Sequence, residues 1–398
     1  MNDAAPEPRI ATGTLMQGKR GVIMGVANDR SIAWGIARAI AAQGGEIAFT
    51  YQGEALEKRV RPLAASIGST LMLPCDVSDD ASMDAAFETI AKEWGKIDFL
   101  VHAIGYADKQ FLRGRYLDTP RAAFLVAPDG FARAGQSATD NAYMADAAAF
   151  DAQRASLQHR DLQRAISAVL PTLCFAGDPA TPDAVFPNNV FGCAPGRYVV
   201  GRMRHPVRQR EAARADIRAF FHDVLGRAEV DLSGQPHACE LTGSLVIDRA
   251  RGLGYCGLSE RCDEDGARLM HAAFGLRATL LFDLAPGEYH ANVVLAVLAG
   301  RAAVVCPRGF ADPAVPAAIA GFHAPHAITC NADEHVAFVG NCIALSRETV
   351  WMSAAAAAAL APPHRQVLAE AGFRVESVAL DAIEAGGGSL RCCIGEVF

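Results

Sequence analysis

Residues 18–37, GKRGVIMGVANDRSIAWGIA, set a short apolar run against a glycine turn and then a helical repeat. The run Arg20–Met24 has the length and composition of a strand. The turn is Gly25-Val26-Ala27-Asn28, and Ser31 opens an apolar pattern through Ile32, Ile36, Ala39 and Ile40 that Gly44-Gly45 closes. Working outward, Glu46–Tyr51 reads as a second strand, 55–67 as a helix, 69–74 as a third strand, 83–94 as a helix and 97–104 as a fourth strand. This alternation predicts half of a doubly wound parallel sheet with ligand contacts at the carboxyl ends of its strands.

The totals exclude several classes. The chain has 398 residues, half of them apolar, and a net charge of -7 that is not gathered in a tail, so neither nucleic acid nor a membrane surface is an expected partner. Residues 1–14 lack an apolar core segment and read as a flexible leader, and no apolar run is long enough to span a bilayer. Eleven cysteines without a secretion signal read as reduced thiols of a cytoplasmic protein, and their spacing offers no metal site. One seam runs through the composition. All five lysines, the last being Lys109, lie in the first 110 residues, whereas ten of the eleven histidines follow His102. We read this as two sequence histories joined near Thr119-Pro120.

The loop G-V-A-N-D-R-S-I after the first strand is not a G-x-G-x-x-G fingerprint, so alone it says little. With FTYQGEALEKRV (49–60), LPCDVSD (73–79), GKIDFLVHAIGYADK (95–109) and GRYLDT (114–119), residues 15–119 resemble the NADH-dependent enoyl-acyl-carrier-protein reductases. The resemblance implies a partial Rossmann-type piece. Gly25, Ser31 and Ile32 would line a pyrophosphate, Gln52, Asp76 and Val77 the adenosine end, and Ile104-Gly105 the nicotinamide side. Those enzymes also need a Tyr-x6-Lys pair downstream. With no lysine after Lys109 the pair is absent. Weak NAD(H) binding is the most this front piece promises, and an enoyl reductase is the alternative that the missing lysine disfavours.

Residues 120–398 alternate short apolar runs with helical patterns and show no clean repeat. Strands are expected at 123–126, 245–247, 303–306, 337–339 and 375–379, and helices at 146–170, 209–225, 265–274 and 354–371. Four polar clusters interrupt this apolar context: 186–191 around Asn188-Asn189, 239–244 around Glu240, 288–292 around His290, and 386–393, GGGSLRCC. Taken singly each has a bland reading as a turn, a surface charge, a structural histidine or a flexible tail. Together they hold the parts of covalent catalysis by a thiolate: a cysteine in a polar glycine loop, a histidine to move protons, and a carboxylate and amides to hold a C–N group.

FLVAPDGFARAGQSATDNAYM (124–144), DAVFPNN (183–189), ELTGSLVIDR (240–249), YCGLSER (255–261), EYHANVV (288–294), FVGN (338–341) and EAGGGSLRCCIGEVF (384–398) follow one another in the order of a known superfamily. Residues 123–398 resemble the arginine deiminase and amidinotransferase (pentein) superfamily, in its citrulline-hydrolase-like branch. The resemblance implies a pseudo-fivefold α/β propeller over 120–398, with Cys392 as nucleophile beside its neighbour Cys393, His290 as general acid and base, and Glu240 clamping substrate nitrogens. Asn189 and Asn292 stand where arginine deiminases carry aspartates. An amide suits a neutral group better than a cation, so a ureido substrate such as citrulline is favoured over a guanidino one. Arginine deiminase and amidinotransferase activities stay open. No cofactor is needed for hydrolysis, the expected partner is the small-molecule substrate, and a homo-oligomer is left open.

Overall fold

The computed structural model describes residues 11–77, 79–104 and 122–398, in two compact units on either side of the stretch 105–121. Gly105, Lys109, the join at Thr119-Pro120 and most of the leader 1–14 lie outside the described residues.

In the front unit, β1 (Arg20–Met24), α1 (Ile32–Ala42), β2 (Glu46–Tyr51), α2 (Gly53–Ser66), β3 (Met72–Pro74), α3 (Asp80–Trp94) and β4 (Phe99–His102) alternate. The strands pair in parallel in the order β3-β2-β1-β4. Alternate residues of β1 serve two cores. Ile23 packs with Trp34 and Ala37 of α1 and Val60 of α2, while Val22 and Met24 pack with Ala86 and Ile90 of α3. Burial on both faces explains why these strands read as continuous apolar runs. β3 and β4 are shorter than the spans 69–74 and 97–104 expected from sequence. At β4 the cover gives out, and Leu100 is 49% exposed.

The back unit contains five three-stranded sheets built to one plan, each middle strand pairing antiparallel with one neighbour and parallel with the other. Phe191–Ala194, Arg197–Val200 and Ala228–Asp231 form one; Leu245–Asp248, Leu253–Leu258 and Ala278–Asp283 the next. Leu295–Leu298, Ala302–Val305 and Ala327–Thr329 follow, then Ile343–Ala344, Thr349–Ser353 and Arg374–Val378. The fifth sheet joins distant parts of the unit: Gly395–Val397 pairs antiparallel with Ala122–Val126, which pairs in parallel with Thr172–Phe175. The repeat that the sequence does not display is therefore present in the backbone. The five copies share pairing geometry rather than residues.

Four expected elements change. Residues 337–339 are a turn after helix Ala332–Val336, with Phe338 at φ 63°, and the strand follows at Ile343–Ala344. The helix expected at 146–170 starts only at Ala152, where the Asp151 carboxylate caps it by accepting from Arg154 N at 2.9 Å. The run 209–225 is broken into short helical turns. The run 354–371 divides at Leu360-Ala361, because Pro362 begins a new helix and disfavours helical geometry in the residue before it. Among the described residues no helix is long and apolar enough to cross a membrane.

The fifth sheet tolerates no added bulk. A β-carbon on Gly395 would stand 2.0 Å from the Phe124 ring on the paired strand. Gly395→Ala should therefore lower stability by about 1–3 kcal/mol, read as a lower urea midpoint. An unchanged midpoint would show that the pairing has slack.

Candidate active site

A short polar turn precedes the first strand of each sheet: Pro187–Asn189, Leu241–Ser244, Ala291–Val294, the turn 337–341 and Leu390–Cys393. Hydrogen bonds pass from each turn to the next. Thr242 Oγ1 donates to Asn188 O at 3.0 Å, and Asn292 Nδ2 donates to Thr242 O at 3.0 Å. Asn341 Nδ2 donates to Asn292 O at 2.8 Å, and Arg391 N donates to Asn341 Oδ1 at 3.0 Å. All four polar clusters of the sequence thus fall on equivalent turns, and Asn341, in the FVGN motif, supplies a member given no role on sequence grounds.

Glu240 and His290 are fully buried and meet at 2.8 Å, Oε2 to Nε2. The other Glu240 oxygen accepts from Arg204 N at 3.0 Å, and Arg261 Nη1 stands 3.5 Å from Oε2. Burial favours a neutral carboxyl, but the Arg261 guanidinium and the His290 bond overcome it and hold Glu240 well below the usual carboxylate range. Burial lowers His290, which Glu240 only partly offsets, and so favours the neutral ring. A carboxylate at Nε2 requires the proton on that nitrogen. Nδ1, which has no hydrogen-bond partner, then presents a lone pair. Around Gly243, where a β-carbon would lie 2.5 Å from Asn189 Oδ1 and 2.8 Å from His290 Nδ1, the two side chains converge.

Cys392 is buried, with Asn341 Nδ2 donating to its Sγ at 3.3 Å and Asn292 Oδ1 3.7 Å away. Burial raises the thiol above its ordinary value, and the Asn341 bond pulls it partly back. Cys393 instead turns its Sγ toward Ser389 O and does not reach the cavity that Cys392 lines. All eleven cysteines are free thiols, and no group of three or more His, Cys, Asp or Glu among the described residues is placed to hold a metal.

That cavity has about 10 Å³ of free space, roughly the room of one water. Cys392, Asn189, Asp183, Arg208, Arg261 and Tyr289 line it. Asn292 does not: its amide nitrogen is committed to Thr242, and it stands behind the thiol. Nothing in the sequence singles out Asp183 or Arg261, since DAVFPNN is distinguished by its amides and YCGLSER by its place in the order. Arg208 is held by Glu211 at 2.8 and 2.9 Å, and Arg261 by Asp140 at 2.6 and 3.1 Å. Asp183 accepts from Ser137 Oγ at 2.6 Å, while its Oδ1 is buried with no partner, and burial raises its pKa. An open cleft of about 330 Å³ adjoins this cavity, and Asn141 and Tyr289 line both spaces.

In the front unit the predicted nucleotide contacts gather at the carboxyl ends of the strands. Gly25 takes φ 98°, and a β-carbon there would strike Ala103 O at 2.2 Å. Ser31 Oγ accepts from Ala27 N and Asn28 N at 3.0 Å, so the loop is tied while Ile32, at the start of α1, is exposed. Gln52 donates to Asp76 at 2.8 Å across the ends of β2 and β3, with Val77 beside it and Ile104 beyond β4.

A family model described as N,N dimethylarginine dimethylhydrolase, eukaryotic, matches residues 127–398, and one described as enoyl-(acyl carrier protein) reductase matches residues 25–142. Over 110 residues the chain is 64% identical to the NADH-dependent enoyl-acyl-carrier-protein reductase 2 of Rhizobium meliloti, and over 115 residues 50% identical to that of Bacillus cereus. The matches cover 28% of the chain and 41% and 45% of those proteins, so the chain spans less than half of these relatives. In fold, the chain is similar to the N-terminal domain of ArgZ, an arginine dihydrolase from the ornithine-ammonia cycle in Cyanobacteria. The TM-score is 0.61 at 21% identity, covering 70% of the chain and 98% of that domain. AgrE, solved with ornithine and NAD+, gives 0.61 at 20% identity over 70% of the chain and 39% of its own.

Glu240 offers a test of the buried charge network. Glu240→Gln leaves Arg261 short of a carboxylate and should cost about 3–5 kcal/mol at pH 7. Because the folded carboxyl is lowered, its contribution is whole above the unfolded value of about 4.3 and drains as pH falls below it. The stability gap between wild type and variant, from urea curves, should shrink below about pH 4. A gap that widens on acidification would contradict an ionised Glu240.

Proposed function

The chain belongs to the N,N dimethylarginine dimethylhydrolase family, and on that premise we propose that residues 120–398 hydrolyse a C–N bond of a guanidino compound through a covalent intermediate on Cys392. The observation that supports this reading is the small cavity lined by both Cys392 and Asp183, whose buried Oδ1 has no hydrogen-bond partner. Both arginines there are hydrogen-bonded to other carboxylates, Glu211 and Asp140, which leaves Asp183 Oδ1 able to accept from a cationic ligand. A guanidinium beside Asp183 would keep that carboxyl ionised and would lower the nearby thiol, since each charge favours its opposite. In this reading the five sheets are the blades of a pseudo-fivefold propeller and the turns surround its axis.

His290 Nδ1 takes the thiol proton, and the Cys392 sulfur attacks the guanidino carbon. The bond to the leaving nitrogen breaks as that nitrogen takes the proton from Nδ1, so ammonia or an alkylamine departs and an amidino group stays on sulfur. Water then gives a proton to Nδ1 while its oxygen adds to the same carbon. The C–S bond breaks, the sulfur recovers a proton, and a ureido product leaves. Glu240 keeps the Nε2 proton in place and steadies the imidazolium formed between the steps. Asn341 offers its amide hydrogen to the developing thiolate.

A neutral ureido substrate such as citrulline is the second reading. It rests on Asn189, whose buried Oδ1 has no partner and brings no charge. The front piece, residues 15–119, is read as a weak NAD(H) site: Gly25 and the uncapped start of α1 fit a pyrophosphate, and the Gln52-Asp76 corner the adenosine end. It takes no part in hydrolysis.

Release of ammonia or amine from arginine, N-methylated arginine and citrulline by the full chain is the deciding assay. A guanidino substrate should turn over, Cys392→Ala should abolish release, and Asp183→Asn should cut kcat/KM about ten- to a hundredfold, as for loss of a charged hydrogen bond. Turnover of citrulline alone would install the second reading, and release that survives Cys392→Ala would end the covalent mechanism.

A further inference from the structure

Beyond the site of hydrolysis, a larger cleft of about 470 Å³ opens among the first strands of the sheets, and no residue lines both it and the cavity in front of Cys392. Val246, Leu295 and Ile343 give it apolar walls, and Thr242 and Asn292 reach it from the turns. Its charged lining is Arg249, Arg347 and Arg391, against the single carboxylate of Glu396. Glu396 is shared, standing 3.2 Å from Arg391 and 3.5 Å from Arg249. Arg391 is further pinned by the bond of its Nη1 to Ile394 O at 2.8 Å, and the Arg249 guanidinium lies over the Phe398 ring at 3.8 Å. Arg347 is exposed and forms no ion pair among the described residues.

We infer that this cleft binds an organic anion, a carboxylate or phosphate carried on an apolar body. Guanidinium forks match the paired oxygens of either group, and two of the three are held in place by contacts they already make. The space lies in the range of about 300–1,000 Å³ typical of small-molecule pockets. A bare inorganic ion would leave the walls formed by Val246, Leu295 and Ile343 wet, whereas an apolar body covers them. The cationic substrate proposed for the front cavity is excluded by charge, so the two sites take ligands of opposite sign.

The test reads binding and is indifferent to turnover, so it stands whether or not the hydrolase reading does. The full chain is titrated with 1-anilinonaphthalene-8-sulfonate, an anion on an aromatic body, and its fluorescence is followed. Hexyl phosphate and hexanoate, which share a tail and differ in head group, are the competitors. Saturable dye binding should weaken about tenfold in Arg347→Ala and recover partly in Arg347→Lys. The exposed position of Arg347 leaves the fold intact, which an unchanged thermal midpoint checks. Displacement by hexyl phosphate assigns a phosphate ligand, and displacement by hexanoate a carboxylate. Dye binding that is equal in wild type and Arg347→Ala, or that neither competitor displaces, would overturn the inference.

Discussion

The amide of Asn341 holds the candidate site together. One nitrogen donates both toward the Cys392 sulfur and to the carbonyl of Asn292, and its oxygen accepts from the backbone of Arg391. It is wholly buried, so each of these bonds replaces one that water would otherwise supply. Thr242 and Asn292 continue the same series into the turns that carry Glu240, Asn189 and His290. Each reactive group therefore sits on a turn whose backbone is fixed by the neighbouring turn. A side chain without both a donor and an acceptor could not take the place of Asn341. An aspartate there would set a negative charge against the thiol and discourage its ionisation.

The electrostatics rest on that frame. Glu240 is ionised in a fully buried place because Arg261, His290 and the Arg204 amide surround it, and Arg261 is itself tied to Asp140 and lies over the Tyr289 ring at 4.9 Å. Cys392 and His290 are both pushed by burial toward their neutral forms. Asp183 Oδ1 is likewise buried and has no hydrogen-bond partner. On the proposed mechanism, ionisation of the thiol would wait for a positive ligand, and no thiolate need persist in the empty protein.

The sequence made the front unit legible because each of its elements has its own period and its own turn residues. Gly25, Gly44 and Gly95 each take a positive φ at an element boundary. In the back unit the motifs marked the turns, and Cys392, His290, Glu240 and Asn189 lie on or next to turns that hydrogen bonds link in series. The repeat was implied by the resemblance but not legible in the residues themselves. Five sheets of equal pairing arise from five unlike apolar strands, since backbone pairing needs only a register and a buried face. The apolar wording of 337–339 suggested a strand, but the left-handed Phe338 makes it the turn that delivers Asn341. Asp183 could have been found by asking which buried carboxylate oxygen lacks a hydrogen-bond partner. That question needs distances. Asn292 was given to the substrate, whereas its nitrogen belongs to the frame.

The sheet that carries Cys392 is made from the two sequence-distant ends of the back unit, Gly395–Val397 laid on Ala122–Val126. Long-range pairing of this kind forms late, since a long loop must close before it is rewarded. A chain with four sheets made would hold His290, Glu240 and Asn341 in place and yet present no aligned sulfur. On the proposed mechanism, competence for covalent chemistry would then arrive in one step with completion of the fold, so that a nascent, clipped or half-folded molecule would be chemically silent rather than indiscriminately reactive.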